Sequence, residues 1–130
     1  MKSSVSISAL EHKTQFRVEL KHEVAIGPGK ADVLQSIQHT GSLAETGRQL
    51  GMSYQKVWTL VSAMNRDFIA PLVTTQRGGS AGGGAQLTSM GVDALAVYRE
   101  IEREAQAAVA KQLPRLLKMI RPDAGERSGT

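Results

Sequence analysis

The sequence predicts a mainly α-helical fold with a small antiparallel β part, and three observations support this prediction. Two helical patterns between residues 42 and 68 are separated by a turn at Gly51. Two short β-like runs then flank a glycine-rich stretch, residues 77–85, as in a hairpin. A long amphipathic segment follows from Thr88. This order is typical of a winged helix-turn-helix with a long C-terminal dimerisation helix.

The composition is that of one small domain with a mild preference for anionic partners. The chain has 130 residues, is 41% hydrophobic and 22% charged, carries a net charge of +4 and has no cysteine. Disulfides and thiolate metal sites are therefore excluded. No apolar run reaches the roughly 18 residues of a membrane helix, and no signal peptide is visible, so we expect a cytoplasmic protein. We expect one domain over residues 15–120, between flexible tails at 1–14 and 121–130.

The first elements follow from periodicity and from helix-ending residues. Apolar residues alternate with polar ones from Phe16 to Ile26, which predicts one strand or two short strands. His22 falls on the apolar face and is interpreted as structural. Pro28 suits the first turn of a helix that runs to about His39, and Gly41 suits a left-handed cap.

The next two helices form the predicted helix-turn-helix. Ser42 and Glu45 have the spacing of a capping box, in which each side chain caps the other residue's amide. Leu43, Gly47 and Leu50 are expected to face inward. Gly47 stands four residues before the turn glycine Gly51, and a small residue there lets two helices cross closely.

The third helix is the predicted reading helix. We expect Ser53 to cap it, and its apolar positions have helical spacing: Val57, Leu60, Val61, Met64 and Phe68. A polar first turn suits entry into a DNA major groove, and the candidate DNA contacts are Ser53, Tyr54, Gln55, Lys56 and Thr59. The alternative is a plain helical hairpin within an all-α core. Trp58 is expected to anchor the core rather than to face DNA.

The glycine-rich stretch predicts a wing with a long flexible tip. Strands are expected over Leu72–Gln76 and Gln86–Leu87. Arg77, Gly78 and Gly79 are the candidate contacts to phosphates or to the minor groove. The alternative is a disordered loop with one solvated arginine. Arg48 and Arg66 are weaker candidates for phosphate contacts.

The fourth helix is the predicted dimer element. Thr88 is expected to cap it, and Pro114 is expected to break or kink it near Gln112. A roughly heptad row predicts the dimer contacts, which are Leu95, Tyr98, Glu102, Ala105 and Val109. The alternative is that this face packs on its own domain.

Enzymatic chemistry is not indicated. His12, His22 and His39 lack metal-ligand spacing, and no nucleophile stands beside a base in the sequence. We therefore expect neither catalysis nor a bound metal or cofactor.

Several motifs resemble the N-terminal DNA-binding domain of molybdate-responsive regulators of the ModE type, over about Phe16 to Ile101. A Ser-Tyr-x-x-x-Trp helix start precedes a glycine-rich wing and Leu-Thr-x-x-Gly at Leu87, Thr88 and Gly91. Further matches are Gly41-Ser42-Leu43, Leu50-Gly51-Met52, Met64-Asn65, Pro71-Leu72-Val73 and Gly84-Ala85-Gln86. LysR-type regulators have a similar winged helix, but they usually lack the glycine-rich wing.

The resemblance implies a dimeric transcriptional regulator that binds a palindromic operator in double-stranded DNA. Full-length members of the family continue into domains that bind the molybdate oxyanion. This sequence ends at Thr130. We therefore expect a regulator without the molybdate-binding domains, and direct binding of molybdate is in doubt. The alternative function is a protein-interaction module that forms mixed dimers with a full-length regulator without itself reading DNA.

Overall fold

A computed structural model of the chain describes residues 18–19, 25–79 and 82–124. Its elements, in chain order, are β1 (Val18–Glu19), β2 (Ala25–Ile26), α1 (Pro28–Thr40), α2 (Leu43–Leu50), α3 (Tyr54–Asp67), β3 (Val73–Gly79), β4 (Gly82–Leu87) and α4 (Ser89–Leu117). The fold is mainly helical with small antiparallel pairs and a long C-terminal helix, as the sequence predicted. It is consistent with a winged helix.

The strands pair within two separate hairpin-like ladders. Val18 lies opposite Ile26 in β1–β2, which confirms the prediction of two short strands for these residues. β3 pairs with β4 from Val73↔Leu87 to Gly79↔Gly82. His22, the tail at residues 1–14 and the end of the chain from residue 125 lie outside the described residues.

Helix ends carry the caps that the sequence predicted. Gly41 has φ 71° and its amide donates to the Ile37 carbonyl at 2.8 Å. The Glu45 amide donates to the Ser42 hydroxyl at 3.0 Å. The second half of the capping box is different, because the Ser42 amide donates to the Thr40 hydroxyl at 3.2 Å. The Glu45 carboxylate instead accepts from Arg48.

One core joins α1, α2, α3, the hairpin and the first part of α4. Leu34, Val61, Leu72 and Tyr98 are each at most 1% exposed. Thr46 is also completely buried, and its hydroxyl has no hydrogen-bond partner among the residues that the structure describes. The compact unit that contains this core ends at Ile101, and Glu102 begins a stretch that belongs to a second unit. The predicted domain limit at residue 120 stays a prediction.

Helix α4 continues past Pro114, so the predicted break near Gln112 is wrong, while the alternative of a kink stays a prediction. Proline removes one hydrogen bond from the helical ladder, and its ring crowds the carbonyl four residues earlier. Hydrogen bonding is present again after the proline, since the Lys118 amide donates to the Pro114 carbonyl at 3.2 Å. The helix ends at Leu117.

Candidate nucleic-acid interface

The turn between α2 and α3 brings the two helices together through Gly47. A Cβ atom at Gly47 would lie 2.7 Å from the Met52 carbonyl oxygen. The Met52 amide donates to the Gly47 carbonyl at 2.9 Å, and Gly51 has φ 69°. A side chain at Gly47 would collide with the backbone of the turn, and its Cβ would also lie 3.6 Å from the Val57 side chain on α3, which is consistent with the predicted close crossing.

Helix α3 begins at a capped turn whose side chains face solvent. The Lys56 amide donates to the Ser53 hydroxyl at 3.0 Å, which confirms the predicted cap. All five predicted major-groove contacts are exposed, namely Ser53, Tyr54, Gln55, Lys56 and Thr59. On the opposite side, Val57, Val61 and Met64 are buried. The core therefore supports α3 from behind and leaves its polar face open.

Trp58 does not anchor the core, and the prediction that it does is wrong. Its side chain lies on α3 and is 44% exposed. Val57 and Val61, on either side of it in the sequence, are completely buried and fill the core position instead. A residue at the boundary between the buried and exposed faces of a helix can turn toward the core or toward solvent. The apolar character of tryptophan alone therefore led to the wrong prediction.

The strands of the wing extend into the glycine-rich stretch, over residues 77–79 and 82–85, where the sequence predicted a long tip without strands. Arg77, Gly78 and Gly79 lie within β3, and Gly79 pairs with Gly82. The register shifts between Gln76 and Gly79. Strand pairing uses backbone groups alone, so a run of glycines can extend the ladder without side-chain support.

Asn65 fixes the base of the wing to α3, and sequence reasoning from physical chemistry missed this role. Its amide nitrogen donates to the Val73 carbonyl at 3.0 Å, and its oxygen accepts from the Leu72 and Val73 amides at 2.9 and 3.1 Å. The Thr88 hydroxyl donates to the Pro71 carbonyl at 2.7 Å. The signal available in the sequence was an amide side chain near the end of a predicted helix that is followed by Pro71.

Gly91 brings α4 against the same segment. A Cβ atom there would overlap the Leu72 carbonyl oxygen. The Thr88 amide donates to that oxygen at 2.9 Å, and the Thr88 hydroxyl accepts from the Gly91 amide at 3.0 Å, which confirms the predicted cap. The start of α4 and the base of the wing are therefore joined through backbone contacts.

Arg48 and Arg66, the weaker phosphate candidates, both pair with carboxylates of neighbouring residues. Arg48 Nη2 lies 2.8 Å from Glu45 Oε2, and Arg66 Nε lies 3.3 Å from Asp67 Oδ1. The hydrogen bond from Arg48, together with its positive charge, lowers the pKa of Glu45, and the same pairing raises the pKa of Arg48. Both arginines remain exposed, so a phosphate would compete with the carboxylate.

The predicted dimer row on α4 contains two buried residues, followed by three that are at least partly exposed. Leu95 and Tyr98 are 7% and 1% exposed and belong to the core, so their prediction as dimer contacts is wrong. For these two residues, the alternative of packing on the own domain is confirmed. Glu102 and Ala105 are partly exposed and Val109 is 36% exposed. The remaining three positions stay predictions.

Arg99 ties the first part of α4 to α1. Its guanidinium donates to Asp32 at 2.9 Å and to Gln35 at 2.8 Å. These residues line a recess of about 400 Å³ together with Ser36, His39, Gln49 and Leu50. Ser36 donates to Gln49 at 3.0 Å within it. The recess is thus crossed by hydrogen bonds that hold the helices together.

No helix within 25–79 and 82–124 is long and apolar enough to span a bilayer. Over that part of the chain, no three His, Asp or Glu side chains stand together as metal ligands would.

Comparison with known proteins finds several related regulators, while no family model matches the chain. The molybdenum-pterin-binding protein MopB of Rhodobacter capsulatus is 41% identical over 101 residues, which are 78% of this chain and 36% of MopB. The molybdenum transport protein ModE of Azotobacter vinelandii is 32% identical over 107 residues, 79% of this chain and 40% of that protein. The DNA-binding transcriptional dual regulator ModE of Escherichia coli K12 is 30% identical over 81 residues, 62% of this chain and 31% of the regulator.

The chain thus spans between 31% and 40% of the length of these three curated relatives. Their names describe a molybdenum-pterin-binding protein, a molybdenum transport protein and a transcriptional regulator. The homologues of this chain are ModE-type regulators and molybdenum-pterin-binding proteins. The similarity to them supports the ModE family for this chain.

Proposed function

We propose that this protein is a sequence-specific transcriptional regulator that binds double-stranded DNA as a homodimer in the bacterial cytoplasm. The observation that carries the proposal is the open polar face at the start of α3, supported from behind by the core. A helix presented in this way can enter a major groove with its first turns against the base edges. The names of the relatives add the proposed setting, which is regulation linked to molybdenum.

Each side chain at the start of α3 offers chemistry that suits a base edge or a phosphate. Gln55 can pair bidentately with adenine, and Lys56 can donate to guanine or to a phosphate. The Thr59 hydroxyl donates to the Gln55 carbonyl at 2.9 Å, and because Thr59 is exposed its oxygen can still accept a hydrogen bond. Ser53 and Tyr54 complete the proposed contact surface.

The wing is the second proposed contact. Arg77 with Gly78 and Gly79 would approach phosphates or the adjacent minor groove, where the lack of side chains permits close contact. Support comes from Asn65, which bonds the first strand of the wing directly to α3. A fixed wing keeps its distance from the reading helix constant.

Charge favours the same surface. Between Gly47 and Leu87 the chain carries Arg48, Lys56, Arg66 and Arg77 against Asp67 alone, a net charge of +3. Arg48 and Arg66 would add phosphate contacts only by exchanging their carboxylate partners. We therefore rank them below Lys56 and Arg77.

The test begins with selection of bound fragments from genomic DNA and uses the recovered site in binding titrations at several salt concentrations. Lys56→Ala and Arg77→Ala are each expected to weaken binding and to lower the salt slope by about one unit per lost phosphate contact. Lys111→Ala removes the same charge from an exposed site on α4 and is expected to leave the slope unchanged. Unchanged affinity for both test variants at every salt concentration contradicts these assignments.

Complete absence of DNA retention at low salt, with the fold intact, would contradict the proposal itself. Co-purification with a full-length regulator would then favour the protein-interaction module.

A further inference from the structure

Two large aromatic side chains stand exposed on the proposed reading helix. Tyr54 is 55% exposed and Trp58 is 44% exposed. The chain has only five aromatic residues, including one tryptophan and two tyrosines. The other tyrosine, Tyr98, is 1% exposed in the core. Exposed aromatic side chains of this size are enriched where a protein binds a partner.

The two rings share one flank of the polar face. Residues four apart on a helix are neighbours, which places Tyr54 beside Trp58. At about 100° per residue, Gln55 lies on the middle of the exposed face, with this pair on one side and Lys56 on the other. A groove that receives Gln55 therefore also receives the aromatic pair.

The major groove offers one prominent apolar group to such a pair, the C5-methyl of thymine. The other groups displayed there are mainly hydrogen-bond donors and acceptors. Burying a ring face against a methyl group removes apolar surface from water on both partners. A polar base edge at the same position would lose its hydration without gaining a partner.

We propose that Tyr54 and Trp58 form an apolar contact that recognises thymine methyl groups beside the base addressed by Gln55. This inference rests on the proposed function, because it requires α3 to lie in the major groove. It adds a preference for thymine at one or two positions of each half-site.

The test replaces each thymine of the selected site, in turn, by deoxyuridine, which lacks only the methyl group. At a contacted position, the affinity of the wild-type protein is expected to fall about three- to fivefold, the value of one buried methyl group. A Tyr54→Ala/Trp58→Ala variant should bind more weakly and lose this dependence on the methyl group. Lys56→Ala is the matched control, which should bind more weakly but keep the dependence.

Trp58 also supplies a direct signal, because it is the only tryptophan in the chain. Its emission is expected to change when the thymine duplex is added. More than half of Trp58 and nearly half of Tyr54 are covered by the protein, so the double variant is expected to unfold at a somewhat lower temperature but to remain folded under binding conditions. Circular dichroism and thermal unfolding check this.

Three results would overturn the inference while leaving DNA binding in place. The deoxyuridine duplexes bind as tightly as the thymine duplex, the double variant keeps the methyl dependence, or Trp58 emission changes with protein concentration but not with DNA. The last result means that a second copy covers the indole. Absence of DNA binding by the wild-type protein instead overturns the proposed function, and the inference falls with it.

Discussion

At the scale of single residues, Gly47 permits the close approach of α2 to the following turn because it has a hydrogen atom in place of a side chain. We predict that Gly47→Ala destabilises the fold by about 1–3 kcal/mol, because the new Cβ would meet a backbone oxygen that has no rotamer to change. Urea-induced unfolding measures the change. Gly29→Ala is the matched control, since nothing lies within 4 Å of a Cβ there. It should be neutral or stabilising by up to about 1 kcal/mol. Equal stability of both variants contradicts the close crossing.

The ion pair of Glu45 and Arg48 leads to a second prediction at this scale. Glu45→Gln removes a negative charge and releases Arg48, while the Ser42 cap remains because it uses the backbone amide of residue 45. If Arg48 approaches a phosphate, DNA affinity should rise a few-fold at low salt and return to the wild-type value at high salt. Titration of the selected duplex measures this. Loss of affinity would show that Glu45 supports binding.

The sign of the pH dependence follows from the lowered pKa of Glu45. A lowered folded-state pKa contributes stability above the usual carboxyl value, and this contribution is lost as the pH falls through the folded value. The difference in stability between Glu45→Gln and the wild type should therefore vanish at acid pH. Because both side chains stay in contact with solvent, the difference will be small at neutral pH as well.

At the scale of elements, the base of the wing depends on Asn65. Asn65→Ala leaves one carbonyl and two amides of Leu72 and Val73 without their partner, and both residues are buried. We predict a loss of at least about 2 kcal/mol in the free energy of unfolding. Asn65→Asp keeps the acceptor oxygen but sets a charged oxygen against the Val73 carbonyl, so it should also be less stable than the wild type. Thermal unfolding compares the three proteins, and wild-type stability of either variant contradicts the assignment.

Helix positions and caps were predictable from the sequence because they depend on local chemistry. The starts at Pro28, Ser42, Ser53 and Thr88 are each set by one side chain and by its neighbours within four residues. The wing was harder, because residues 77–85 contain five glycines and therefore have almost no side-chain periodicity. Its ladder depends on backbone pairing between distant residues, which sequence patterns do not show.

Some features of the candidate site could likewise be predicted from the sequence, and others could not. Exposure of the first turns of α3 followed from helical spacing, since buried positions fix the outward face. The placement of Trp58 did not follow, because its flank position fits either the core or the surface. The role of Asn65 depends on its contacts with Leu72 and Val73, which lie beyond the end of helix α3.

At the scale of the whole molecule, charge is distributed unevenly along the chain. The segment from Gly47 to Leu87 carries +3, whereas the whole chain carries +4. Most of the net charge therefore belongs to the elements proposed to contact DNA. Electrostatic attraction of this kind speeds encounter with DNA and adds affinity without sequence preference. Sequence preference has to come from the side chains of α3.

The proposed homodimer gives the last prediction, which concerns Val109 on α4. Val109→Glu places a charge at an exposed position of the predicted dimer row and should shift the protein from dimer to monomer in sedimentation. Val97 is 59% exposed and lies on another side of the same helix by its spacing, so Val97→Glu is the matched control and should remain dimeric. The wild-type footprint should contain two half-sites about one helical turn apart, roughly 34–36 Å. Val109→Glu should protect half-sites only at higher protein concentration, whereas a monomeric wild type or an unpaired footprint would contradict the dimer.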